Sequence, residues 1–228
     1  MLDINKYSNI HLSPYYGEYT DYAMMMGSCY CRKSYLRLFN AYNESLDIQI
    51  NDILMAENLK IGEYTKYVKF PPGSYHIVIY SGENNVVFES DIDIDYNLVY
   101  TGLISSDNKI DDICVLMVPE EKAYHMTGNM SALRLANLCG DIPETILSSQ
   151  DGNILFSDIN YAKVSCNVAI PSGRYTLLLK TLDGSDILEY RMDIAPKMHY
   201  TLFIVGNYKD NTVKIIVPED GVNYLDLC

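Results

Sequence analysis

Thirty acidic side chains against seventeen basic ones give this 228-residue chain many carboxylates, so residues able to do chemistry must be recognised by spacing. Asp91-Ile92-Asp93-Ile94-Asp95 presents an oxygen ligand at every second residue, as a calcium loop would, but the Gly and distal Glu of an EF-hand are missing. Strict alternation instead puts three Asp on one face of a strand and two Ile on the other. Such a face is solvated, and its charge discourages edge-to-edge pairing. The six cysteines (Cys29, Cys31, Cys114, Cys139, Cys166, Cys228) form no C-x-x-C pair and the four His are scattered, so the spacing encodes no zinc site. No Gly-x-Ser-x-Gly elbow is present, and no Cys has an activating partner nearby in sequence. Carboxylate pairs suited to glycoside hydrolysis are unavoidable among thirty acids and therefore identify nothing. The expectation is a protein that is not an enzyme, with no catalytic residues, no cofactor and no metal.

The elements that carry these residues are duplicated. Ser34-Tyr35-Leu36-Arg37-Leu38-Phe39-Asn40 returns as Ser131-Ala132-Leu133-Arg134-Leu135-Ala136-Asn137. Phe70-Pro71-Pro72-Gly73-Ser74-Tyr75 returns as Ile170-Pro171-Ser172-Gly173-Arg174-Tyr175, and Glu89, Asp93, Ile94, Tyr100 and Thr101 return as Glu189, Asp193, Ile194, Tyr200 and Thr201. The units close alike, Val118-Pro119-Glu120-Glu121 against Val217-Pro218-Glu219-Asp220. Independent anchors in one order at nearly constant spacing mark a tandem duplication. The organisation expected is a leader at 1–33, repeats at 34–122 and 131–220 joined by a short linker, and a tail at 221–228.

Each repeat reads as β. Short runs such as Leu46–Ile50, Tyr64–Phe70, Tyr75–Tyr80, Val86–Phe88 and Ile113–Val118 alternate with turn formers, among them Pro71-Pro72-Gly73 and Ser81-Gly82-Glu83-Asn84-Asn85. About seven strands in about 90 residues is the signature of a small β-sandwich; Ile53 to Leu59 could form a single helical turn. Gly73 and Gly173 supply a turn backbone that other residues resist, after Pro71 and Pro171. Tyr75 and Tyr175, next to that turn, pack at a sheet corner with the hydroxyl reaching backbone. Arg37 and Arg134 point opposite to the leucines beside them, where each could pair with a carboxylate of its own repeat or bind a ligand.

The run Asn58-Leu59-Lys60-Ile61-Gly62-Glu63-Tyr64-Thr65-Lys66-Tyr67-Val68-Lys69-Phe70-Pro71-Pro72-Gly73-Ser74-Tyr75 resembles the central motif of the bacterial domain-of-unknown-function 4397 family. That resemblance implies an all-β chain of two tandem immunoglobulin-like β-sandwiches, of the kind found in clostridial and other spore-forming bacteria, with a Tyr-rich N-terminal leader. Repeats of the family usually open on an Arg-x-x-His-Ala-Ser-Pro-like stretch. Here Arg37-Leu38-Phe39-Asn40-Ala41-Tyr42-Asn43 and Arg134-Leu135-Ala136-Asn137-Leu138-Cys139-Gly140 stand instead, so no role of that His or Ser-Pro carries over. The resemblance implies a fold and names no activity.

Net charge −13 without a dense Lys/Arg cluster argues against phosphate backbones and anionic headgroups. Neither a nucleic-acid partner nor membrane insertion is expected. The N-terminus lacks the basic start and apolar run of a secretory signal, so synthesis is expected in the cytoplasm, with reduced thiols. Tyrosine is the compositional outlier, 21 against 5 Phe and no Trp. The leader concentrates it (Tyr15, Tyr16, Tyr19 and Tyr22 among six) beside Met24-Met25-Met26 and Cys29-x-Cys31. These residues, with Cys228, are the candidates for adhesive contacts or oxidative cross-links. The expectation is a structural or interaction protein, acting through protein partners or self-association and deposited on a spore coat or envelope layer. The alternative is a carbohydrate or cell-wall binding module, which a row of exposed rings such as Tyr64 and Tyr67 would favour.

Overall fold

The computed structural model of the chain describes residues 33–82, 85–107, 112–120, 126 and 128–227. Tyr15, Tyr16, Tyr19, Tyr22, Cys29, Cys31 and Cys228 lie outside the described residues. Two groups of eight strands follow one another. The first is β1 (Ser34–Asn40), β2 (Leu46–Ile50), β3 (Ile53–Leu59), β4 (Val68–Phe70), β5 (Gly73–Ser81), β6 (Asn85–Ile94), β7 (Val99–Asp107) and β8 (Asp112–Glu120). The second is β9 (Met130–Asn137), β10 (Thr145–Ser149), β11 (Ile154–Ile159), β12 (Val168–Pro171), β13 (Gly173–Thr181), β14 (Asp186–Ile194), β15 (His199–Val205) and β16 (Lys214–Ile216). A 3-10 turn at Gly221–Asn223 follows.

Both groups fold the same way. The sheets run β4-β1-β7-β8 and β3-β2-β5-β6 in the first, β12-β9-β15-β16 and β11-β10-β13-β14 in the second. The chain is therefore all-β, in two sandwiches. Each has eight strands where about seven were expected, and the opening strand lies inside its sheet, parallel to the seventh. Ile53–Leu59 is strand β3, not a helical turn. The preceding Asn51-Asp52 has positive φ at both residues, the two-residue hairpin that matches strand twist and holds β3 against β2. Val86–Phe88 and Asp91–Ile94 belong to one long strand, β6, with Ile92 and Ile94 buried and Asp91 and Asp93 exposed.

Alternation decides what each strand faces. On β1, Leu36 and Leu38 enter a core with Ile48, Ile77 and Ile79; Arg37 and Phe39 point to the other side and are buried as well. On β9, Leu133 and Leu135 enter the second core, leaving Arg134 and Ala136 on the far face. These far faces pack on one another: Phe39, Leu103 and Val118 join Ala136, Phe203 and Val205 in a third apolar cluster. Phe39 and Phe203 stack with ring centroids 4.7 Å apart. Strands buried on both faces read as nearly continuous apolar runs, which is why β1 and β9 carry Leu-Arg-Leu flanked by apolar residues.

The two cores differ clearly at their second strand. β2 turns Leu46, Ile48 and Ile50 inward, all fully buried. The corresponding positions of β10 are Thr145, Leu147 and Ser149, and the hydroxyls of Thr145 and Ser149 are buried without a hydrogen-bond partner.

Candidate functional site

The densest polar construction among the described residues lies between the sandwiches. Parallel pairing of β1 with β7 sets Arg37 beside Thr101, and β9 with β15 sets Arg134 beside Thr201. In each sandwich the Arg Nε donates to that Thr hydroxyl, at 2.9 Å from Arg37 and 2.8 Å from Arg134. Each Thr hydroxyl donates to an acid at 2.7 Å, Thr101 to Glu120 and Thr201 to Asp220. Each Arg also crosses to the other sandwich: Arg37 Nη1 donates to the carbonyl of Glu219 at 2.7 Å, and Arg134 Nη1 to that of Pro119 at 2.8 Å. The result is a reciprocal clamp in which either arginine holds the closing segment of the other sandwich.

Arg37 is the more heavily engaged. Its Nη2 lies 3.1 Å from Asp220 and 3.4 Å from Glu120, all three side chains being almost wholly buried. The guanidinium carbon stands 4.8 Å from the Tyr67 ring centroid and 5.6 Å from that of Tyr64, distances at which a cation is attracted to the ring face. The Tyr67 hydroxyl donates to Glu120 and accepts from the Gly221 amide at 2.9 Å. The second Glu120 oxygen accepts from the Val222 amide at 3.2 Å. The tail after the second sandwich thus crosses onto the first, where Tyr224 meets Tyr67 edge-on.

Burial sets the electrostatics here. It pushes the Asp220 carboxyl up to about 6, with the Glu120 charge adding to the rise and Arg134 and Arg37 opposing it. Burial and then Glu120 likewise hold the Tyr67 hydroxyl far above its ordinary range. Every hydrogen bond named here runs to another member of the clamp or to backbone. Its geometry fixes position.

Arg37 therefore pairs with carboxylates of both sandwiches, where a partner from its own repeat was expected. The crossing contacts could not be read from single strands. The closing motif also misled by one residue: matching Pro119 to Pro218 sets Glu120 against Glu219. The strands pair Tyr100 with Pro119 and Tyr200 with Glu219, so Asp220 takes the place of Glu120.

The other predicted positions lie elsewhere. Gly73 and Gly173 both adopt φ of 156°, and Tyr75 and Tyr175 donate to the carbonyls of Pro71 and Pro171 at 2.6 and 2.8 Å, closing the same corner twice. Tyr64 is exposed but Tyr67 is committed to the clamp, so the two do not form an exposed row. Asp91 and Glu89 flank His76 at 3.0 Å each on the open face of β5 and β6; hydrogen bonds to Asp91 and then Glu89 raise its pKa. Cys139 is buried on Asp141, and burial pushes its thiol up to about 12, away from reactivity. A cleft of about 570 Å³ opens at the β10–β11 end of the second sandwich, bordered by Ser149, Asp151, Arg174 and Arg191.

A family model described as a domain of unknown function (DUF4397) matches residues 34–147. No curated protein matches the chain. Among solved structures it is similar to the Bacillus anthracis TIE protein, at 12% identity and TM-score 0.25, covering 77% of this chain and 34% of that one. It is also similar to a leucine-rich repeat protein from Bacteroides thetaiotaomicron, at 10% identity and TM-score 0.21, covering 77% and 26%. A third is a proposed cell adhesion protein from Bacteroides fragilis, at 10% identity and TM-score 0.22, covering 78% and 84%. The chain spans about a third of the first of these and about a quarter of the second. At such TM-scores the likenesses carry no argument.

Proposed function

The chain belongs to the DUF4397 family, and from that premise we propose that it is a non-enzymatic structural protein, one that acts through protein–protein contacts in a bacterial envelope layer such as a spore coat. The observation that carries the reading is the reciprocal clamp. Arg37, Arg134, Glu120 and Asp220 are buried and spent on holding two sandwiches together. An apolar cluster packed between the sandwiches beside this clamp opposes the relative motion that two linked domains otherwise show. A rigid double sandwich suits a building block better than a catalyst that must open and close. The Tyr- and Cys-rich leader at 1–33 supplies the adhesive element of the proposal.

Fractionation of sporulating and vegetative cells tests it. The reading expects the protein in the insoluble coat or envelope fraction, released by reductant and detergent. Recovery only in the soluble fraction of vegetative cells overturns it.

A further inference from the structure

The duplicated sandwiches differ at the hairpin after their second strand. In the first sandwich β2 and β3 are joined by Asn51-Asp52 alone. Asn51 pins that turn to β5, donating its amide to the His76 carbonyl and accepting the His76 amide on its side chain, both at 2.8 Å. In the second sandwich four residues, 150–153, separate β10 from β11. The bond from the Gln150 amide to the Thr176 carbonyl is kept, at 2.9 Å. The longer turn borders the cleft of about 570 Å³ with Gln150 and Asp151, a volume within the range of small-ligand sites.

A core position next to the rim changed as well. Ile50, fully buried in the first sandwich, corresponds to Ser149, which borders the cleft and keeps a buried hydroxyl without a protein partner. An orphaned hydroxyl at a core position breaks the pattern that builds the rest of the sandwich, and such breaks concentrate at functional sites. The charges are balanced in advance. Arg174 pairs with Asp193 at 3.3 Å and Arg191 with Glu189 at 2.8 Å, so each cation has an acid beside it.

We propose that this cleft binds a neutral oligosaccharide. Gln150 and the Arg174–Asp193 pair, which both donate and accept, and Asp151, which accepts, match the close-set hydroxyls of a sugar. Tyr175 and Met192 border the cleft as well and offer apolar surface to its C–H face. This site stands apart from the clamp and does not depend on the envelope-layer reading.

Titration of the ¹⁵N-labelled protein by NMR tests it with cellotetraose, maltotetraose, xylotetraose and chitotriose as neutral probes. Trigalacturonate and the chitosan trimer serve as charged comparisons. The expected result is saturable shifts for at least one neutral probe, confined to residues 149–151, 174–176 and 191–193, with Kd unchanged by added salt. Asp151→Ala, on an exposed turn, weakens that probe at least tenfold, whereas His76→Ala on the first sandwich leaves it unaltered. The proposal is overturned if no neutral probe saturates, if a charged trimer binds as tightly as the best neutral one, or if Asp151→Ala binds like the wild type.

Discussion

Each sandwich buries one arginine and one acid, but the first engages its arginine more heavily and keeps the cleaner second strand. Arg37 reaches two carboxylates, one hydroxyl, one carbonyl and two aromatic rings, where its counterpart Arg134 has a hydroxyl and a carbonyl as hydrogen-bond partners. Conversely β2 lines its core with Leu46, Ile48 and Ile50, and β10 with Thr145, Leu147 and Ser149. Two copies of one unit have thus been free to differ wherever the shared strand order did not forbid it. The Arg-Thr-acid arrangement recurs in both, and from it each arginine crosses to the other sandwich.

Removing Arg37 strikes that difference hardest. Arg37→Ala leaves Glu120 and Asp220 buried without their shared cation, a change that costs about 3–5 kcal/mol where a buried pair is broken. Arg134→Ala leaves Asp220 with Arg37 and should cost about 2 kcal/mol, near the worth of a hydrogen bond to a charged group. Urea unfolding of the two variants measures both, and equal losses would erase the asymmetry between the arginines.

Next in size is the exchange of core residues between β2 and β10. Leu46→Thr, which gives the first core the residue found at Thr145, should cost about 2 kcal/mol or more from lost packing and an unpaired hydroxyl. In the opposite direction Thr145→Val removes an unpaired hydroxyl at nearly constant shape and should stabilise by about 1 kcal/mol. Thermal melts of both variants check the pair, and a destabilised Thr145→Val would mean that this hydroxyl is satisfied.

Asp220 makes the clamp sensitive to pH. The Asp220 carboxyl, at about 6 in the folded chain against 3.8 ordinarily, favours the protonated form on folding. Its contribution to stability is fully present below about pH 4 and is lost as pH rises through 6. Unfolding measured in steps across that window should show a downward slope in the wild type that Asp220→Asn flattens. An unchanged slope in the variant would place the titration elsewhere.

The smallest effect is at His76, whose counterpart is Thr176. Paired with Asp91 and Glu89, it titrates above 6.5, so its contribution is present below 6.5 and fades as pH rises through the higher folded value. The group is exposed and the gain is correspondingly slight. NMR titration of the imidazole should show a raised midpoint that falls back when Asp91→Asn and Glu89→Gln are combined.

Much of this fold was legible in the chain. The offsets linking Gly73 to Gly173 and Tyr100 to Tyr200 expose the duplication, and alternation along Asp91 to Asp95 is enough to orient β6. Arg37 and Arg134 stood out as charges between leucines, on the face opposite to them. What that face meets was not legible, because the partner of β1 across the interface lies on β15, far along the chain, and pairing of that kind leaves no local pattern. Thr101 and Thr201 carried a signal, being repeated at a fixed offset beside Tyr100 and Tyr200. Asp220 was hidden by the proline match, since the closing segments differ by one residue in register.

The account turns on the two sandwiches behaving as one body. Differential scanning calorimetry of the wild type and of Phe39→Ala, which removes the ring stacked on Phe203, tests this most directly. One transition with equal calorimetric and van't Hoff enthalpies is expected for the wild type, resolving into two for the variant. Two separate transitions in the wild type, with that of the second sandwich unmoved by Arg37→Ala or Phe39→Ala in the first, would contradict it.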